Sequence, residues 1–395
     1  MNADAPAARP TLHFAPEEFA ARIARARASL AAQNLAAVLL FAQESLYYLT
    51  GYDTSGYVFF QCAVLTAEER PITLLTRRPD LEQARRTSTI SDVRVWYDAE
   101  DADPTADLLA ILQECGLRGS RVGIELNTFG LTGFNHARIA QRLAGWCALS
   151  DASGLVRTLR LRKSPAELAY VRRAAALADA SLAAMLEAVR PGAFEGDIAA
   201  AGSAAILRGG GDPAPSGPVL GSGERALLIR SATGFRHLDP ADQLTIEFAA
   251  PYRRYCACLM RTVAVGRIGD AQRRMFAVTR EALQAMTEAA QPGRPLGEID
   301  AAHRRVFDAS GHAAHRMAAC GYSLGATYRP SWMDVPPMLY AGNAQPALSG
   351  MVLFLHAILI DPAAGLAMSL GHTLIIGDGG PEVLTRLIPD DRPCL

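Results

Sequence analysis

The feature that most constrains the fold of this chain is an internal repeat. Shifting the sequence by 101 residues lays AMLEAVRPGAFEGDIAAA (184–201) over AMTEAAQPGRPLGEIDAA (285–302), with ten of eighteen positions identical. Alanine-rich helices resemble one another by composition, which covers the shared Ala and Glu. It does not cover two Pro-Gly stops and two Gly-acid-Ile triplets in one frame. Each copy reads as a helix pair followed by a strand-rich stretch, 217–265 after the first and 319–377 after the second. Two such units bury their sheet faces best as one curved sheet with helices outside. A ligand cleft is then expected where the halves meet.

Local signals fix the helices of this part. Ser164-Pro165-Ala166-Glu167 has the form of a capping box with proline at the first helical position. Apolar residues then recur at Leu168, Val171, Ala175, Ala178, Leu182, Met185 and Val189, one stripe on a long helix that Pro191-Gly192 ends. The preceding part alternates differently. An amphipathic helix is predicted over 16–34, with strands at 37–41, 58–65, 71–76, 93–97 and 121–125 and helices near 105–115 and 135–144. That alternation describes a small α/β domain. The expected domains are 1–155 and 156–395, an α+β protein whose second domain is built from two pseudo-symmetric halves. Residues 1–10, rich in Ala and Pro, are expected to be frayed.

With 395 residues the chain is long enough for two cores. Its formal net charge of -1 and lack of a long basic run give no electrostatic reason to expect nucleic acid or an anionic membrane as partner. Cys256 and Cys258 form the only close pair among seven cysteines, and their spacing suits neither a zinc hairpin nor a redox pair. MNADAPAARP lacks a leader pattern, so the cytoplasm is the expected compartment.

Four segments carry a resemblance: LLFAQESLYYLTGY (39–52), KSPAELAYVRRA (163–174), YRRYCACLMRTVAVG (252–266) and GMVLFLHAILI (350–360). In this order they resemble the creatinase/aminopeptidase P family, with its creatinase-like N-terminal domain and pita-bread C-terminal domain. The resemblance implies a homodimer acting on a small molecule. Metal-dependent members hold two ions on two Asp, one His and two Glu, and here the matching positions are Glu247, Cys258, Tyr322, His356 and about Gly371. Such a set lacks the bridging carboxylates that paired divalent ions need. The expectation is therefore no metal and no cofactor, as in the metal-independent branch that includes creatinase and ectoine hydrolase. The pattern is closer to ectoine hydrolase, since the position of creatinase's acid–base His is Arg230 here. An alternative places a single zinc on Glu247, Cys258 and His356.

Glu247 in the apolar frame Leu244, Ile246, Phe248 reads as nucleophile or general base on an amidinium-like carbon, or else as a core carboxylate bridged to Arg261. His356, inside an apolar strand, is a general acid–base or a satisfied core histidine. Tyr322 donates to a developing anion or fills space. Arg230 suits a substrate carboxylate. Cys258, Arg261 and His372 are weaker substrate-binding candidates: a small buried hydrophobe accounts for Cys258 equally well, and a structural hydrogen bond is the stronger reading of His372. Tyr52, Tyr57 and Trp332 could wall a cationic or ring-shaped ligand. His303, His312 and His315 carry no assigned role. The function read from these residues is a metal-independent hydrolase of a C–N bond in a small amidine, guanidine or cyclic amide. A lyase or cyclase in the same cleft, and a non-catalytic ligand-binding relative, stay open.

Overall fold

The computed structural model describes residues 10–230 and 234–386; Cys394 and most of the Ala/Pro-rich start fall outside them. The chain divides between Arg160 and Leu161 into two compact units. Among the described residues no helix is long and apolar enough to cross a membrane.

The first unit runs α1 (Pro16–Ala32), β1 (Ala37–Leu40), α2 (Gln43–Thr50), β2 (Cys62–Thr66), β3 (Thr73–Arg77), α3 (Leu81–Thr87), β4 (Asp92–Trp96), α4 (Pro104–Glu114), β5 (Arg121–Ile124), α5 (Gly133–Leu143), β6 (Ala148–Asp151) and α6 (Gly154–Arg160). Its sheet has the order β4-β3-β2-β1-β5-β6. Two expectations shift. The strand predicted to start at Val58 starts at Cys62, because Gly56–Val58 forms a 3-10 turn. The unpredicted helix α2 has no local side-chain cap. Its entrance is held by Glu125, whose carboxylate accepts from Phe41 N at 2.9 Å, Ala42 N at 2.8 Å and Ser45 Oγ at 2.6 Å. A cap supplied from so far along the chain leaves no local trace in the sequence.

The second unit contains α7 (Pro165–Ala188), α8 (Glu195–Arg208), β7 (Val219–Ser222), β8 (Asp242–Tyr252), β9 (Tyr255–Val265), α9 (Asp270–Ala289), α10 (Gly297–Ala309), β10 (Ala319–Ser323), β11 (Met338–Tyr340), β12 (Val352–Asp361), β13 (Leu366–Gly377) and β14 (Gly380–Val383). The capping box forms as predicted, with Ser164 N donating to Glu167 at 2.8 Å and Glu167 N to Ser164 Oγ at 3.3 Å. The repeat is structural: α7–α8 then β7–β9, and α9–α10 then β10–β14. Its two glycines adopt the same left-handed conformation, φ 79° at Gly192 and 80° at Gly293. Eight strands make one sheet, ordered β11-β10-β12-β13-β9-β8-β7 with β14 on β13. Leu244, Ile246, Phe248, Leu259 and Val263 pack with α7–α8, and Leu353, Leu355, Ala357 and Leu359 pack with α9–α10. By strand alternation the opposite face of the sheet carries Glu247 and His356.

The two halves join at β9–β13, and the backbone register there covers only Leu370↔Arg261 and Gly371↔Met260. To either side, side chains replace the ladder. Thr373 Oγ1 accepts from Cys258 N at 2.8 Å and donates to Cys258 O at 2.9 Å. Thr262 Oγ1 accepts from Ser369 N at 3.0 Å. Gln243 Oε1 accepts from Ala367 N at 3.0 Å while its amide donates to Gly365 O at 2.7 Å.

Candidate active site

Strand register decides which candidates can meet. Glu247 pairs with Met260, Met260 with Gly371, and Gly371 with His356, so one row crosses β8, β9, β13 and β12 on one face. Tyr322 joins this face from β10 by pairing with Phe354, two residues from His356. The row borders a cavity of about 390 Å³ lined by Glu247, Tyr322, His356, Arg230 and Trp332, with Met317, Met333 and Met338 among its apolar wall. The cavity thus gathers five of the predicted residues. The methionines and Ser331 carried no sequence signal, since they lie in or beside irregular segments without periodicity.

A hydrogen-bonded chain runs along the wall. Trp332 Nε1 donates to the Tyr322 hydroxyl at 2.8 Å, and that hydroxyl donates to Glu247 Oε1 at 3.3 Å. The Tyr322 ring lies 5.8 Å from that of His356, and Phe354 lies 5.7 Å from His356. Glu247 is 8% exposed. Burial raises its carboxyl to about 7, against smaller lowering by the Tyr322 hydrogen bond and the Arg230 charge. Burial lowers His356 to about 4, keeping its ring neutral near pH 7, and its Nδ1 has no hydrogen-bond partner. Burial also drives the Tyr322 phenol well above its ordinary value, so it is a donor and not a phenolate.

Other candidates lie elsewhere. Arg261 pairs with Ile246 and Leu370, which places it on the helix-facing side; it cannot be the partner of Glu247 across this strand pair, nor does it line the cavity. His372 pairs with Leu355 on that same side and hydrogen-bonds Thr287 of α9 through Nε2 at 3.0 Å, a structural contact. Cys258 shares the face of Glu247 but is fully buried and outside the cavity lining. Burial pushes its thiol well up, so it is a small buried hydrophobe. Tyr52 is part of the first unit's apolar core, and Tyr57 is buried in the same unit.

The donor set does not fit a pair of metal ions. Gly371 has no side chain, and a Cβ there would stand 2.7 Å from Phe354 Cζ and 2.9 Å from Leu355 O, so the position cannot carry a carboxylate without rearrangement. Nor do Glu247, Cys258 and His356 form a convergent trio. Among the described residues the only three potential ligands whose atoms converge within 4.8 Å are Asp300, His303 and Cys320, outside this cavity.

Comparison with known proteins agrees with the architecture. Residues 169–378 match metallopeptidase family M24, and residues 22–162 match the creatinase/prolidase N-terminal domain. Ectoine hydrolase of Halomonas elongata is 27% identical over 396 residues, covering 95% of this chain and 96% of that protein. A Xaa-Pro dipeptidase of Pyrococcus furiosus is 23% identical over 232 residues, covering 59% of this chain and 65% of that protein. The crystal structure of prolidase from Thermococcus sibiricus superposes with a TM-score of 0.86 at 19% identity, over 95% of this chain and 99% of that one.

Proposed function

This chain belongs to metallopeptidase family M24, a hydrolase family, and from that premise we propose that it hydrolyses a C–N bond of a small amidine, guanidine or cyclic amide without metal. The observation that carries this reading is the buried Glu247, raised to about 7 and hydrogen-bonded by Tyr322, in a cavity that it shares with a neutral His356. A carboxyl titrating near working pH exchanges protons with water and with a leaving nitrogen in both directions. The similarity to ectoine hydrolase supports a non-peptide C–N bond.

In this mechanism Glu247 takes a proton from water as its oxygen adds to the amidinium-like carbon. That carbon is already electrophilic, so no Lewis acid is needed. Tyr322, itself held by Trp332, turns its hydroxyl toward the nitrogen lone pair that appears as addition removes the amidinium charge. The C–N bond then breaks, and the proton held by Glu247 passes to the departing nitrogen, directly or through neutral His356. Arg230 binds a substrate carboxylate at the rim, and Trp332 covers the ring. The active form in this reading is a homodimer in the cytoplasm, with a small molecule as substrate and neither nucleic acid nor membrane as partner.

Glu247→Gln and His356→Ala are each expected to abolish turnover of a cyclic or acyclic amidine while leaving the circular dichroism spectrum unchanged. The wild-type rate should rise with pH through about 7, as the basic form of Glu247 appears. Ordinary turnover in both variants sinks the proposal, as does a requirement for two ions bound in this cavity.

A further inference from the structure

Behind the cavity wall lies a second cluster that the proposed reaction does not use. Asp300 and His303 stand one helical turn apart on α10, and Cys320 sits on β10, with all three fully buried. The His303 Nδ1 and Asp300 Oδ1 atoms are 3.9 Å apart, and the ligand atoms of the trio all fall within 4.8 Å of one another. Both ring nitrogens of His303 and both carboxylate oxygens of Asp300 lack a hydrogen bond. Arg304 reaches Asp300 Oδ2 at 3.1 Å as an ion pair, which leaves Oδ1 directed to His303. Native interiors seldom leave three buried polar atoms, here Asp300 Oδ1 and both His303 nitrogens, without a hydrogen bond at one place, and a bound ion is one of the usual reasons.

We infer that Asp300, His303 and Cys320 form a zinc site separate from the active-site cavity. Nitrogen, sulfur and oxygen donors of this kind suit tetrahedral zinc, whose bonds of about 2.0–2.3 Å bring neighbouring ligand atoms to roughly 3.3–3.7 Å. The His303–Asp300 pair, at 3.9 Å, needs to close by about 0.5 Å, and no pair in the trio by more than about 1.5 Å, to reach that spacing. The chemistry balances. Cys320 releases its thiol proton to solvent as the zinc–sulfur bond forms, while His303 binds as the neutral imidazole. One thiolate and one carboxylate cancel the charge of the ion, which makes its burial tolerable. A water completes the fourth position. Ala318 and Ala319, next to Cys320, line the cavity, so the ion would pin the cavity's wall strand to α10.

The test is metal analysis of the full chain purified without chelator, followed by removal of metal and refilling with cobalt. One zinc per chain is expected, together with a thiolate-to-cobalt charge-transfer band that vanishes in Cys320→Ser and persists in Cys258→Ser. His303→Gln should weaken zinc binding by at least about tenfold, taking the loss of one direct ligand to exceed that of a supporting contact. Wild-type protein that takes up neither zinc nor cobalt overturns the inference. So does bound metal, or a charge-transfer band, that survives in both Cys320→Ser and His303→Gln. If Cys320→Ser does not fold, the cobalt spectrum of the wild type decides the matter, since a spectrum without thiolate character is incompatible with this ligand set. No outcome depends on turnover, so the hydrolase proposal and the zinc site stand or fall separately.

Discussion

Replacing Glu247 by glutamine separates the electrostatics of the site from its chemistry. In the folded protein this carboxyl titrates at about 7, and in the unfolded chain near its ordinary value of about 4.5. Between those values the native state binds more protons than the unfolded one, so its stability falls as pH rises and the loss is complete above pH 7. The difference between about 4.5 and about 7 corresponds to about 3 kcal/mol. Glutamine keeps an oxygen for the Tyr322 hydroxyl, now 3.3 Å from Glu247 Oε1, and carries no charge to desolvate. The variant should therefore lie within about 1 kcal/mol of the wild type at pH 5 and exceed it by about 3 kcal/mol at pH 8.5. For a unit of this size, about 3 kcal/mol appears as a Tm difference of about 6–12 °C. Differential scanning calorimetry across pH 5–8.5 measures it. Comparing the two curves cancels the opposing trend of His356 and His372, both lowered to about 4, whose contributions rise with pH up to about 6.5. Parallel curves for wild type and variant would refute the reasoning, because they would mean that Glu247 is not charged at a cost.

Three further outcomes follow from contacts described above. Tyr322→Phe strips Trp332 Nε1 of its acceptor and Glu247 of its donor; thermal unfolding should show a loss of about 1–3 kcal/mol, and the midpoint of the pH–rate profile should move upward. Thr373→Val leaves Cys258 N and O without their partner at the junction of the halves; two buried backbone groups unpaired cost about 2–5 kcal/mol in chemical denaturation. Gly192→Ala and Gly293→Ala meet no atom within 4 Å of the new Cβ but force a left-handed backbone; each should cost about 1–2 kcal/mol, and equal costs would express the repeat as energy.

The repeat, the capping box and the inherited ligand positions were enough to place Glu247, Tyr322, His356, Arg230 and Trp332 around one cavity. What the sequence hid was parity. Glu247 and Arg261 belong to a hairpin, and whether they share a face depends on its turn. That turn is Arg253-Arg254, with φ of 51° and 69°, where the usual sequence signal is Asn-Gly. With Tyr252 opposite Tyr255, Glu247 falls opposite Met260, and Arg261 goes to the other side. His372, one residue beyond the position opposite His356, faces the helices for the same reason, and its structural hydrogen bond to Thr287 is the reading the sequence favoured over substrate binding. The trio on α10 and β10 escaped notice because Asp300 and His303 read as polar residues of an ordinary amphipathic helix, and only tertiary packing brings Cys320 to them. Helix α2 likewise depends on a carboxylate contributed by a strand far along the chain.

Backbone ladders are indifferent to which side chains they carry; stitches made by hydroxyl and amide groups are not. Since Thr373, Thr262 and Gln243 hold the diverging strands together, the spacing of the two halves is written in three exchangeable residues that do not line the cavity. Selectivity for ligand size can therefore drift, or be engineered, from positions outside the pocket, with the reacting groups left intact.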